Sequence, residues 1–291
     1  METLLAQVVN GIAVGSTYAL LVVGLNLMLL VAGVFQYAYA PMVVLSMYVY
    51  FYALQITKNN LVLSILITLV ASIIISVATE PLFRPAAKKQ AGLATFMIAL
   101  GITMLIADML NKRIHSGYQI YFPSELMGDQ TVIKTGMVVI SLGQLLVIVG
   151  SIASVTVFLL ILKYSRQGRA FRAIAQDPFS AKLVGIPILK TTYLAYIIAG
   201  LLGGITAIFL AMSLRSAGPG LGDRLALKIF SIALFAGLGN LNGGLIAAII
   251  IGIIESVSLG YISGRWVDAV VFSIIIVTVI IKPRGLFGSK V

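Results

Sequence analysis

The chain contains no cysteine, a single histidine and only nine acidic residues among 291. Without Cys there is neither a disulfide nor a thiolate metal site. The one histidine, His115, lies in the polar stretch NKRIHSGYQ (111–119) and has no second histidine to share a metal with. No G-x-x-x-x-G-K-[ST] loop exists, so nothing in the chain cradles nucleotide phosphates. Convergent histidine pairs, a serine with a base, or paired carboxylates are also missing, which argues against an intramembrane enzyme. Acids are scarce inside the apolar runs, where an ion-coupled carrier would place them. Glu80 and Asp108 are expected at the ends of such runs, and Glu255 about five residues from the end of its own.

What the chain has is apolar length. Hydrophobic residues make up 60% of it and charged residues 10%, against about a quarter charged in an ordinary soluble domain. Runs such as LVLSILITLVASIIISVA (61–78) and AVVFSIIIVTVII (269–281) recur from end to end. They do not alternate, so a membrane barrel is excluded. The pattern predicts an all-α, polytopic helical bundle in a membrane, where helices satisfy their own backbone groups. Spans are expected near 5–31, 41–56, 61–79, 94–111, 137–162, 191–213, 225–238, 241–260 and 267–282, about eight to nine segments in one membrane domain over 1–291. The 41–56 and 225–238 pieces are short, as tilted, broken or re-entrant helices are. The opening METLLAQVVNG lacks the basic region of a cleaved signal, so the first segment is expected to be retained.

The net charge of +11 does not point to nucleic acid, because the basic residues sit in particular loops. Arg84, Lys88 and Lys89 lie in 80–93, six basic residues lie in 163–190, and Lys282, Arg284 and Lys290 lie in the tail. Alternating spans put all three on one side, which the positive-inside rule makes the cytoplasm. The N-terminus, with Glu2, is then outside, as is the polar loop 112–136, where Glu125 and Asp129 balance Lys112 and Arg113. Asp223, Arg224 and Lys228 are expected near the outer mouth, to dock a binding protein or simply to be solvated.

The loop KYSRQGRAFRAIAQDPFSAKLVGIPILK (163–190) concentrates charge in a chain that has little. Asp177 before Pro178 reads as an N-cap followed by a residue pre-set for the first helical turn. Gly185 reads as the stop, and Pro187 forbids resumption. Phe179 and Leu183 share a face, beside a basic stripe of Arg166, Arg169 and Arg172. A short capped helix with two apolar knobs is a docking element, unless it is an ordinary positive-inside loop that happens to be helical. With no energy source of its own, the chain reads as a pathway whose motor is elsewhere.

Four stretches, in order, resemble permease subunits of branched-chain amino-acid importers of the ATP-binding-cassette (ABC) class: NGIAVGSTYALLVVGLNLM (10–28), RAIAQDPFSAKLVGI (172–186), GLGNLNGGLIAAIIIGIIE (237–255) and IKPRGLFG (281–288). The resemblance covers essentially the whole chain. It implies a type II importer-like permease in a bacterial inner membrane, with its C-terminus in the cytoplasm. It further implies a second permease subunit, identical or related, two ATP-binding subunits that hold ATP and Mg, and an extracytoplasmic solute-binding protein. No cofactor is implied on this chain. Coupling to the ATPases would fall to Arg172, Ala173, Gln176, Asp177, Pro178, Phe179, Ala181, Leu183, Gly185 and Ile186. The implied cargo is a branched-chain or related hydrophobic amino acid; urea, an amide or another small organic solute is the alternative, and an ion-coupled carrier the more distant one.

One stretch departs from the family. Where it commonly has Gly-x-Ile-Asn-Phe-Ala-His-Gly, this chain reads GVFQYAYA (33–40), with Gln36, Tyr39 and Ala40 replacing Asn, His and Gly. Gln36, Tyr37 and Tyr39 are candidates for the pathway, with an interfacial aromatic belt as the other reading. Ser16, Tyr18 and Asn26 in the first helix are further pathway candidates, their alternative being bonds to neighbouring helices. Asn240 and Asn242 join them at a glycine-rich break that either binds the ends of a zwitterion or is merely a turn. Gly11, Gly15, Gly200, Gly204, Gly243 and Gly244 are expected to let helices pack closely.

Overall fold

The computed structural model describes residues 2–89, 91–114, 116–123, 131–135, 138–262, 264–283 and 285–287. His115, Glu125, Asp129, Arg284, Gly288 and Lys290 lie outside the described residues. Eleven α-helices follow in chain order: α1 (Glu2–Ala32), α2 (Tyr39–Ile56), α3 (Leu61–Lys88), α4 (Gly92–Met109), α5 (Leu142–Tyr164), α6 (Arg166–Gln176), α7 (Pro178–Leu183), α8 (Ile188–Leu214), α9 (Leu221–Ala236), α10 (Leu241–Tyr261) and α11 (Gly264–Ile281). Seven of them are long and apolar enough to cross a membrane. The apolar part of α11, Trp266–Ile281, and the whole of α9 are shorter. The all-helical bundle expected from the apolar runs is therefore present, with small additions at one end. There β1 (Ile120–Tyr121) pairs antiparallel with β4 (Ser216–Ala217), and β2 (Thr131–Thr135) with β3 (Val138–Ser141).

Several boundaries differ from the sequence expectation for local reasons. Helix α3 does not stop at residue 79 but runs through Pro81 and Pro85 to Lys88. Each proline removes one backbone bond, yet buried Phe83 and Ala86 and the Glu80–Arg84 ion pair hold the last turns helical. Glu80 is consequently buried eight residues inside the helix rather than at its end. The fifth span begins at Leu142 and not at 137, because Ser141 caps it: its hydroxyl accepts from the Gln144 amide while the Gln144 side chain accepts from the Ser141 amide. After α4 the chain widens into a π-type turn over Leu110–Ile114.

Helix α1 is the central post. Helices α10, α8 and α5 pack around it, and Leu20 to Val23 are fully buried. The closest approach is between α1 and α10, where Gly252 faces Gly15: a Cβ on Gly252 would lie 2.4 Å from the Gly15 backbone. Gly11 and Gly15 meet the backbone of Ile253 and Ile249 in the same way. Gly200 and Gly204 seat α8 against Ser72 and Ser76 of α3. Gly244 admits Val22 and Asn26 of α1. Gly11, Gly15, Gly200 and Gly252 use the absence of a side chain to bring two backbones together, while Gly204 and Gly244 make room for side chains of the facing helix.

The two short helices start inside the bundle. The Tyr39 hydroxyl at the head of α2 donates to the Ala199 carbonyl, near the middle of α8, at 2.9 Å. Gly222, at the head of α9, abuts Pro41 at the head of α2. The chain thus leaves α1 at Gly33 (φ +64°), folds back, and begins α2 beside the start of α9. This is the broken-helix arrangement that a protein-covered site tolerates in a membrane.

These contacts predict opposite outcomes for two glycines. Gly252→Ala has to push α10 off α1, costing about 1–3 kcal/mol as overpacking does. Gly101 has open space around it, so Gly101→Ala should leave stability unchanged or raise it by up to about 1 kcal/mol through helix propensity. Thermal unfolding of the two purified variants in detergent checks this; equal midpoints would show that the α1–α10 contact is not tight.

Candidate functional site

The segment between α5 and α8 is anchored on one side and open on the other. Ser165 caps α6 by accepting from the Gly168 amide at 2.9 Å. Gly168 lies against the Leu162 carbonyl so closely that no side chain fits. Phe171 enters a core cluster with Leu27, Val31, Phe158 and Leu162 of α1 and α5. Arg172 donates to the Leu162 carbonyl and, at 3.5 Å, to that of Lys163, so it ties α6 to the end of α5. Its side chain is therefore engaged within the chain itself. Arg166 and Arg169 stay exposed.

Helix α7 is a separate unit. The Asp177 amide closes α6 onto the Ala173 carbonyl, while its carboxylate accepts from the Phe179 amide at 2.9 Å and the Ser180 hydroxyl at 2.5 Å. The Ser180 hydroxyl, then the Phe179 amide, hold the Asp177 carboxyl below the usual carboxylate range. Ala181 is buried, Gly185 takes φ +84°, and Ile186 donates back to the Ala181 carbonyl. That left-handed glycine is the stop. The outer surface carries Phe179, Leu183 and Val184, 71%, 73% and 77% exposed. Gln176 and Pro178 are exposed beside them. Three bulky apolar side chains left mostly exposed form a patch that needs a partner.

The eight pathway candidates divide into three groups by their contacts. Gln36, Tyr37 and Tyr39 surround the α1–α2 break. Gln36 is fully buried; its amide donates to the Thr79 hydroxyl at 2.9 Å, and its carbonyl oxygen has no partner. Phe35 packs edge-on against Phe230 of α9 at 4.7 Å, and Tyr37 meets Phe96 of α4 at 6.1 Å. These aromatic rings pack against rings of other helices. Asn26 meets Asn240 near the C-terminal end of α1, with Asn242 two residues beyond it. Asn26 accepts from the Gly239 amide at 3.2 Å and donates to the Asn240 carbonyl. Asn240 caps α10 through the Gly243 amide at 2.8 Å and donates to the Phe287 carbonyl at 2.7 Å. Leu286 and Phe287 also donate to the carbonyls of Phe235 and Ala236. The glycine-rich break is thus a turn clamped by α1 and the chain's tail, with Gly243 against Phe287; of its two asparagines, Asn242 is exposed. Ser16 and Tyr18 stand apart. Ser16 bonds to the Ala13 carbonyl of its own helix.

Tyr18 leads to a feature the sequence reading missed. Lys228 is not solvated at an outer mouth; it is buried two turns into α9, its ammonium 2.7 Å from Glu255 of α10 and 3.1 Å from Asp268 of α11, and 5.6 Å from the Tyr18 ring centre. Side-chain exposures of 11%, 13% and 59% for Lys228, Glu255 and Asp268 show a pair enclosed by protein with one acid open at the edge. One Glu255 oxygen is buried without a partner. Charged groups therefore do lie within the helices. The misplacement came from starting α9 too late: it begins at Leu221 inside the bundle, which draws Lys228 inward. The available signal was a charge inside each of three successive apolar runs, the cation Lys228 followed by the acids Glu255 and Asp268. Removing the cation strands the acids, so Lys228→Met should cost on the order of 3 kcal/mol. Adding Glu255→Gln should recover part of it, a coupling that a double-mutant cycle on unfolding midpoints reads directly.

The basic segments 80–93 and 163–190 meet at one end of this bundle. The ends of α1 and α3 and the α6–α8 segment line one cavity there, and α1, α5, α6 and the α9–α10 turn line another. Against known proteins the likeness runs nearly end to end. The family described as branched-chain amino acid transport system / permease component matches residues 7–280. The chain is 28% identical to the high-affinity branched-chain amino acid transport system permease protein BraD of Pseudomonas aeruginosa, over 98% of this chain and 95% of that one. It is 24% identical to the LivH permease protein of the corresponding Escherichia coli K12 system, with the same two coverages. A probable LivH of Methanocaldococcus jannaschii is 27% identical over 92% of this chain and 88% of its own. The chain belongs to the family of permease components of branched-chain amino acid transport systems, membrane-embedded transport subunits and not enzymes.

Proposed function

We propose that this ABC importer permease is driven at its basic end, through α7, by separate ATPase subunits, and that it moves branched-chain amino acids inward by alternating access. The observation that carries the reading is the exposed Phe179–Leu183–Val184 patch on an independently capped helix, at the end where the basic segments gather. By the positive-inside rule that end faces the cytoplasm, with the chain forming one membrane domain and its 163–190 segment cytoplasmic. ATP and Mg belong to the partner subunits, since this chain has no loop for them. A second permease subunit completes the passage, and an extracytoplasmic binding protein delivers solute at the other end. Names of the full-length relatives support a branched-chain amino acid as cargo. Gln36, with a buried unpartnered oxygen at the α1–α2 break, is the strongest pathway residue; Tyr37 lies beside it.

Coupling through α7 makes two expectations. Replacing Phe179 and Leu183 together by Ser should lower substrate-stimulated ATP turnover by about tenfold or more, the loss of two buried apolar contacts at roughly 1 kcal/mol each or above, with membrane insertion unaffected. Asp177→Ala should also uncouple, while Asp177→Asn, which can still cap, should not. Because the Asp177 carboxyl is held below its ordinary range, its contribution is complete above the unfolded-state value and is lost only as pH falls through the lowered one. Coupling should accordingly show no Asp177-dependent change between about pH 5 and about pH 8. Wild-type turnover in the Phe179/Leu183 and Asp177→Ala variants would remove α7 from the coupling path.

A further inference from the structure

Behind α7 lies a cavity of about 940 Å³, enclosed by the end of α1, the end of α3 and the first turn of α8. Four cations reach it, Arg84, Lys88, Lys182 and Lys190, with one acid, Glu80. Glu80 is already committed. Both of its oxygens accept from the Arg84 guanidinium, at 3.0 and 2.5 Å, and Arg84 also donates to the Tyr193 hydroxyl. That leaves three lysines on the rim, none paired with an acid among the described residues. Below the rim the walls are apolar and include Leu29, Val34 and Phe83. A net positive mouth over an apolar floor, level with the ends of membrane helices, has the polarity of an anionic phospholipid turned around. Its size far exceeds that of a free phosphate.

The position gives the site a consequence. Pro178 and Lys182 of α7 line the cavity, while Phe179 and Leu183, about 100° further round the same helix, face away from it. Whatever fills the cavity braces the helix that the ATPase is to press. We propose that the cavity holds the phosphate-bearing headgroup of an anionic phospholipid, gripped by Lys88, Lys182 and Lys190, with its acyl chains along the apolar wall, and that this lipid supports α7 during coupling. The second half of the proposal rests on α7 being the coupling helix; the first half does not.

The test uses the intact transporter, purified with its ATPases and placed in phosphatidylcholine nanodiscs with or without phosphatidylglycerol. Native mass spectrometry reads lipid retained, and substrate-stimulated ATP turnover is measured in parallel. Wild type should retain phosphatidylglycerol in preference to phosphatidylcholine and turn over faster with it. The Lys88→Gln/Lys190→Gln variant should still assemble but retain it roughly thirtyfold less, the scale set by two cations beside an anionic headgroup. Lysine substitution with no change in retention overturns the site. Inorganic phosphate added to phosphatidylcholine discs that reproduces the stimulation overturns the lipid as its source. Retention that depends on the lysines, with turnover indifferent to the lipid, upholds the site and overturns the brace. Because the Phe179/Leu183 variant tests α7 independently, that last result can be separated from a failure of the coupling reading itself.

Discussion

The bundle is organised by the need to answer, within the protein, every polar group carried into an apolar surrounding. Straight helices do this for their backbones at no further cost. Departures from a straight helix are answered by side chains, whereas most of the buried serines and threonines bond to carbonyls of their own helices. Asn26 and Asn240 hold the α9–α10 turn. Tyr39 ties the head of α2 to α8, and Arg172 closes the end of α5. Among the described residues four buried side-chain atoms are left unanswered: the Ser151 and Tyr196 hydroxyls, and two more, the Gln36 carbonyl oxygen and one Glu255 oxygen, which fall at the α1–α2 break and in the Lys228 cluster. Both places join helices that begin or bend inside the bundle.

The same economy decides what can move. Helix α6 is fused to α5 and α1 by Gly168, Phe171 and Arg172. Helix α8 is pressed to α3 through Gly200 and Gly204. Between these two blocks stands α7, six residues long, joined to α8 by a short connection containing a left-handed glycine and a proline. In the proposed cycle, force applied at Phe179 and Leu183 reaches α8, and from there α3, through that connection and through the contacts that α6 and α7 make with α8. A short rigid helix between two packed blocks is suited to rigid-body rocking, in which packed elements shift as units.

Much of this was legible in the sequence, for identifiable reasons. Apolar runs of about 20 residues mark spans because the membrane sets their length. Asp177-Pro178 and Gly185 mark α7 because caps are local chemistry, readable from neighbouring residues. Small-xxx-small spacing marked Gly11, Gly15, Gly200 and Gly204, although Gly252, which packs on Gly11 and Gly15, was not singled out, since nothing local says which helix α1 will meet. What remained hidden depends on register between distant helices. The third span was expected to end near residue 79, yet the Glu80–Arg84 pair and the burial of Phe83 carry α3 past Pro81 and Pro85. Lys228 read as a mouth residue because its partners, Glu255 and Asp268, lie on two later helices. The inward start of α9 cannot be inferred from its own sixteen residues.

The central claim is that the ATPase grips this chain at α7. Since the chain has no cysteine, a single one can be placed without interference. Leu183→Cys, on the exposed face of α7, and Tyr118→Cys, exposed at the strand-bearing end, can each be joined to nearby chains with a short thiol cross-linker in native membranes. The account predicts a covalent adduct with the ATPase from position 183 and none from 118. An ATPase adduct from 118, or none from 183 while the complex still purifies intact, would contradict it.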